Sequence, residues 1–308
     1  MNGWRREATD YLAMRRALGF KLRGQDRLLA DFLGYLEEVG ATSITAQIAL
    51  SWATRDAELS PVRWAQRLSV VRGFARHLHG LDPRVEVPAM DLLPCQRRRG
   101  VPYLYAESDI GRLLEAAASL RPALRAATYE TLLGLVAATG MRLGEAISLD
   151  RGDVDLGTGV IEINDAKFRK HRRIPLHHTT VGALRRYETT RDELCPKPKA
   201  PSFFVSTRGT RLLDVCVHGV FVGLVQQIGL EAQPGTGRPR IHDLRHGFAM
   251  ATLRDWYRSG ADVAGKLPVL SAYLGHAHPA STYWYLQACP ELLGLAAQRL
   301  ERVGGSSR

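Results

Sequence analysis

Cysteine is scarce and scattered: Cys95, Cys195, Cys216 and Cys289 stand far apart in 308 residues, and none forms a CxxC pair. That spacing argues against both a disulfide framework and a cysteine zinc site, and leaves buried thiols as the simplest reading. Long apolar runs are missing as well. The most apolar stretch, "TLLGLVAATGMRLGEAISL", meets Arg142 and Glu145 before it is long enough to span a bilayer, so no membrane-crossing helix is expected. The opening "MNGWRREATD" is polar and has no apolar core of a secretory signal, which leads to the expectation of a cytoplasmic protein. Acidic charge is in deficit. Thirty-one Asp and Glu face 42 Lys and Arg, giving a formal charge of +11 and a pI near 9.8, and this balance points to a polyanionic partner rather than an acidic small molecule.

What is present suits two domains, because 308 residues with 45% apolar content can fill two modest cores. Residues 1–92 read as a helical module. Apolar residues recur there at three- and four-residue spacing over about 5–18, 25–39, 46–57 and 61–79, with Gly40 closing the second helix and Ser60-Pro61 opening the fourth as N-cap and first-turn proline. Sixteen Lys/Arg against eleven Asp/Glu in the first hundred residues spread a basic excess over these helices, which fits a small module that touches phosphates.

The texture changes at "LPCQRRRGVPYLYAES", so residues 93–104 read as a linker. Its Arg97, Arg98 and Arg99 are either a solvated run or contacts to a nucleic-acid backbone. Residues 105–308 read as a mainly helical domain with a small antiparallel sheet. Val160 to Ile163 and Arg173 to Leu176 form a hairpin with a basic tip, "NDAKFRKHR", and Gly140 is expected to end a helix in the left-handed conformation. Further helices are expected at 143–149, 179–193, 214–229, 242–258, 266–274, 279–287 and 290–302.

"HDLRH" places His242, Arg245 and His246 at i, i+3 and i+4, on one face of a helix. It superficially resembles the zinc motif HExxH. However, Asp is shorter than the Glu that activates water, and Arg245 would set a fixed positive charge beside the cation, so no metal site is expected. Packing alone accounts for His246 but not for the arginine and the second histidine. A guanidinium with imidazoles suits a phosphate, because Arg donates two parallel hydrogen bonds and imidazole moves a proton near neutral pH. "ATGMRLGEAISL" offers a second cation in Arg142, with Glu145 three residues on, which reads equally as a surface ion pair. "GADVAGKL" fits GxxxxGK, but Leu267 stands where a Ser or Thr must bind magnesium and a helix rather than a strand precedes it, so no nucleotide cofactor is expected.

Four separated segments, "ATGMRLGEAISL", "AKFRKHRRIPL", "HDLRHGFAMATL" and "YLGHAHPASTYWYL", jointly resemble the tyrosine recombinases, the phage-integrase family, in that family's order. The resemblance runs from about 105 to 303, and the helical module looks like the family's core-binding, SAM-like DNA-binding domain by layout. It implies a site-specific recombinase or integrase, of the type carried by transposons and other mobile elements, that cleaves and rejoins DNA through a 3′-phosphotyrosyl intermediate without metal or ATP. By the same resemblance Arg142, Lys167, His242, Arg245 and His276 are catalytic and Tyr285 is the nucleophile. Tyr283 competes for that role, but two residues turn a helix by about 200°, so only one can enter a given site; Tyr283 and Trp284 are expected in packing.

Arg142 and Arg245 would clamp the nonbridging oxygens, Lys167 would protonate the leaving 5′-oxygen, His242 would assist proton transfer around Tyr285, and His276 would hydrogen-bond the phosphate. Glu145 would orient the arginines and His246 would support the site. Arg169, Lys170 and Arg172, with Arg97, Arg98 and Arg99, are the expected DNA contacts. The expected partners are duplex DNA at specific sites, three further copies of the chain docked through helix 290–302, and companion recombinases; the expected location is the nucleoid. A type IB topoisomerase and a non-catalytic DNA-binding protein of the same fold are the rival readings.

Overall fold

The computed structural model describes the chain apart from residues 1, 21, 23, 95–100, 165–170, 277, 279, 289–292 and 295–308, with no side-chain description at 2, 287 and 288. The expectations for Arg97, Arg98, Arg99, Lys167, Arg169, Lys170 and nearly all of helix 290–302 therefore lie outside the described residues. The chain divides into two compact units, Met1–Arg99 and Gly100–Arg308.

The first unit is built from α1 (Asn2–Ala17), α2 (Gln25–Glu38), α3 (Ala46–Thr54) and α4 (Pro61–His79). Their apolar stripes converge on a core holding Phe32, Leu36, Trp52, Leu68, Val71 and Phe74, all shielded from solvent. Trp52 is affordable there because its indole N–H donates to Asp31 (3.1 Å) while the Arg67 guanidinium lies 4.2 Å from the ring centroid. α4 starts at Ser60-Pro61 as expected, but the serine hydroxyl makes no cap bond. Proline at the first position removes one of the amides needing a partner, and the Ser60 carbonyl takes those of Arg63 and Trp64.

The second unit runs α5 (Glu107–Ala118), α6 (Ala123–Thr139), α7 (Leu143–Ser148), β1 (Val154–Asp155), β2 (Val160–Ile163), β3 (Arg172–Pro175), α8 (His178–Leu194), α9 (Asp214–Gln227), α10 (Ile241–Arg258), α11 (Val263–Leu274) and α12 (Ala280–Ala288). α6 is apolar nearly all round and occupies the middle, packed by α5, α7, α8 and α10. The sheet is antiparallel in the order β1-β2-β3, one strand more than the hairpin read from sequence. β1 is only two residues long, too short for any alternation to show. It is returned to β2 by a turn in which Asp155 accepts from the amides of Gly157 and Thr158. Ile161 pairs with Ile174 and Ile163 with Arg172, so these four side chains share the inner face.

α11 begins three residues earlier than its apolar pattern suggests, because the Asp262 carboxylate caps it by accepting from Gly265 N–H (3.1 Å). The GxxxxGK segment is thus the start of a capped helix. α10, α11 and α12 enclose a second, smaller core of Ala249, Met250, Leu253, Leu270, Leu274 and Tyr285.

Gly140 terminates α6 at φ +62°, and a Cβ there would lie 2.5 Å from Phe248 Cδ1 on α10. Gly140→Ala should therefore cost about 1–2 kcal/mol of backbone strain before Phe248 is displaced. A lower denaturant midpoint for the second unit, read by tryptophan fluorescence and circular dichroism, is the expected result.

Candidate active site

Two helix ends make the cradle. α6 stops at Gly140 and α11 at Gly275 (φ +66°), both left-handed, and their last carbonyls carry the partial negative charge of a helix C-terminus. Arg245, 2% exposed on α10, answers both: Nη1 donates to Gly140 O (2.8 Å) and Nη2 to Leu274 O (2.7 Å). Burial, then the charge of Arg142, lowers its pKa to about 10, so it stays a cation at neutral pH.

Arg142 sits at the N-cap of α7 and binds the same helix end, with Nη2 donating to Gly275 O (2.7 Å). Its Nη1 donates to Glu145 Oε1 (2.7 Å) and its backbone amide to Glu145 Oε2 (2.8 Å). Arg172 closes on the same carboxylate from β3 as a two-pronged pair, Nη1 to Oε1 (2.9 Å) and Nη2 to Oε2 (2.7 Å). Burial alone would push the Glu145 carboxyl up. The hydrogen bond and charge of Arg172, then those of Arg142, outweigh it and hold the pKa at about 2. Gly275 leaves room for this convergence: a Cβ there would stand 2.6 Å from Arg172 Nη1 and 3.4 Å from Arg142 Nη1.

Arg172 was expected among the DNA contacts, and the structure corrects this. Its side chain is 11% exposed and turned inward onto Glu145, whereas the next residue, Arg173, points out with 77% exposure and pairs with Glu162. The two-residue period of the strand dictates the difference, since Arg172 shares a face with the buried Ile174. That alternation was available in "RRIP" and was the signal missed.

Arg142 keeps a 40% exposed side chain, and Glu145 and Gly275 occupy two of the five N–H donors of its guanidinium, so donors are left to offer an anion. His242 also keeps an exposed edge, although protein atoms crowd its ring. Burial, followed by the charge of Arg245, lowers its pKa, so its imidazole is neutral at pH 7 in the free chain.

One turn along α10 from His242, His246 Nδ1 lies 3.0 Å from Tyr285 Oη on α12, in hydrogen-bond contact. The phenol is 1% exposed and belongs to the α10–α11–α12 core, where the rings of His276 and Trp284 flank it at 6.1 and 5.5 Å. His276 follows the α11 cap and is itself held by Thr282, Nδ1 to Oγ1 2.7 Å. Two expectations shift. The ring against the phenol is His246 rather than His242, whose own ring stacks edge-on to His246 at 4.7 Å. Tyr283, expected in packing, is half exposed.

Residues 104–291 match the Phage integrase family. The chain is 44% identical to "Putative integrase/recombinase y4rB" of Sinorhizobium fredii over 98% of each chain, and 37% identical to "Putative integrase/recombinase y4rE" of the same organism over 96% of each. In fold it resembles the Tn1549 transposon integrase, solved in complex with transposon right end DNA, with a TM-score of 0.65 at 17% identity, covering 96% of this chain and 99% of that one.

The buried carboxylate sets a pH signature. Its folded pKa near 2 lies below the unfolded value of about 4.3, so its contribution of about 3 kcal/mol is complete above pH 5 and is lost as pH falls towards 2. Glu145→Gln should reduce stability at pH 7 by about 3–5 kcal/mol, since two guanidiniums lose their counter-charge. In urea unfolding from pH 7 to 2, the variant should also lack this part of the acid-induced loss.

Proposed function

Because the chain belongs to the phage integrase family of tyrosine recombinases, enzymes that cut and rejoin DNA, we propose that Tyr285 attacks a DNA phosphodiester in line and leaves a 3′-phosphotyrosyl link and a free 5′-hydroxyl. The observation that carries this reading is the joining of Tyr285, through His246 on α10, to the helix whose Arg245 is tied to both ends of the arginine cradle.

In this mechanism Arg142 and Arg245 are donors preset for the charge that grows on the pentacoordinate phosphate. Their positions are fixed before the substrate arrives, so no reorganisation is needed at the moment of reaction. Arg142 offers the exposed part of its guanidinium and His242 its exposed edge. Neutral at pH 7, His242 can donate one N–H to a phosphate oxygen, and the arriving negative charge counteracts the arginines that depress its protonation. His276 serves the same phosphate, and Lys167, which follows β2 and precedes β3 in sequence, protonates the leaving 5′-oxygen. Glu145 and Arg172 hold Arg142 in place. Because Tyr285 is 1% exposed, side chains packed over it give way when a phosphate reaches the hydroxyl.

The substrate is duplex DNA at specific sites, and the reaction serves a mobile element. Likeness to a transposon integrase and to two proteins named integrase/recombinase supports that role. The basic helices of the first unit contact the DNA backbone, together with Arg97, Arg98, Arg99, Arg169 and Lys170. Four copies assemble on paired sites through residues 290–302, whose Leu292, Leu293, Leu295, Ala296 and Leu300 form an apolar stripe in sequence.

The test is a nicked suicide duplex carrying the ends of the element. Wild-type protein should form a covalent adduct that maps to the peptide containing Tyr285, and Tyr285→Phe should bind the same duplex with unchanged affinity and form none. An adduct that persists in the variant, or maps to Tyr283, would refute the assignment.

A further inference from the structure

The two histidines of "HDLRH" lie one helical turn apart, yet they meet different surroundings. His242 keeps an exposed edge and lies in the field of Arg245, Arg240 and Arg142. His246 is turned inward, with its Nδ1 against the hydroxyl of Tyr285. The ring planes follow this division: His246 meets His242 edge-on (4.7 Å, 87°) on one side and Tyr285 (5.4 Å, 62°) on the other. Resting on the recombinase reading, we infer that His246 is the general base of the cleavage step, accepting the Tyr285 phenolic proton on Nδ1, and that His242 serves the phosphate instead.

The step balances without an added reagent. The Tyr285 O–H bond breaks as Nδ1–H forms, the Oη–P bond forms, and the P–O5′ bond breaks as the 5′-oxygen takes a proton from the general acid. Religation runs the same transfers backwards, with His246 returning its proton to the departing phenolate. A phenol ionises near pH 10 in water, so at neutral pH a base in contact removes most of the cost of generating the nucleophile. Geometry favours His246 over its neighbours. His276 commits its Nδ1 to Thr282 and stacks near the phenol ring at 6.1 Å between centroids, and the only described ring contact of His242 is with His246. The described titratable neighbours of His246 are His242 on its own helix and Tyr285 on α12, with His276 on the far side of the phenol and Arg245 next to His246 in the chain.

The decisive variant is His246→Asn. Its amide reaches the position of Nδ1 and keeps a hydrogen-bond partner for the phenol, but it cannot take up a proton. Single-turnover adduct formation on the suicide duplex should slow at least about 100-fold at pH 7. The break in its pH profile, where the rate levels off as the base loses its proton, should disappear, with the rate rising steadily with pH. His242→Asn should also slow the reaction but retain the break. A duplex with a 5′-bridging phosphorothiolate, whose sulfur departs without a proton, should not restore His246→Asn.

Wild-type rate and pH profile in His246→Asn, or restoration by the sulfur leaving group, would overturn the inference while leaving the recombinase reading intact. Absence of any adduct in the wild-type protein would overturn both. An independent check needs no substitution at 246: nitrogen-detected NMR of the wild-type chain should find Nδ1 unprotonated, with a resonance that moves in Tyr285→Phe. A proton resident on Nδ1 would overturn the assignment.

Discussion

Three guanidiniums crowd the centre of the second unit, and the structure depends on how their mutual repulsion is cancelled. Two neutralising devices act. One is the Glu145 carboxylate, which accepts from both Arg142 and Arg172 and from a backbone amide. The other is the pair of helix C-termini at Gly140 and Gly275, whose carbonyls have no partner inside their own helices and are filled by Arg245 and Arg142. Each device is incomplete without the other. Glu145 has no described bond to Arg245, and the carbonyls do not hold Arg172. Together they fix α6, α7, α10, α11 and β3 around one point.

This arrangement explains why the site can be cationic without unfolding. A buried arginine without partners would cost several kcal/mol, but donors spent on carbonyls and a carboxylate recover most of that. The arginines divide accordingly. Arg245 and Arg172 are buried against their structural partners, while Arg142, two-fifths exposed, turns part of its guanidinium outward. The glycines at the helix ends serve the same purpose. Each permits a left-handed termination, and at Gly275 the missing Cβ is also the space into which Arg172 reaches.

Most of the helices were legible in the sequence because their signals are local. Apolar spacing marked α2, α4, α9 and α10 to within a residue or two, and Gly140 announced a left-handed stop that the backbone adopts. Where the reading failed, the deciding contact was either too short-ranged or too distant to leave a pattern. β1 has two residues, α11 owes its first turn to the Asp262 carboxylate, and the Ser60 cap yields to backbone geometry set by Pro61. The candidate site was legible as an inventory of residue types. Arg142, His242, Arg245, His276 and Tyr285 were marked by spacing and by family resemblance, but nothing in the spacing said which imidazole nitrogen meets the phenol.

The sequence by itself determined the helical framework, the basic balance and the identity of the groups that can handle a phosphate, because periodicity, capping and charge are properties of neighbours along the chain. Only the tertiary structure decided how those groups are used. Arg172 turned from the hairpin surface to Glu145, His246 rather than His242 took the place beside Tyr285, and Arg245 was spent on two helix ends. Those choices depend on the meeting of segments up to 133 residues apart, as in the bond from Arg142 to Gly275. Such contacts form only when α6, α10 and α11 pack, and no local pattern encodes their mutual orientation.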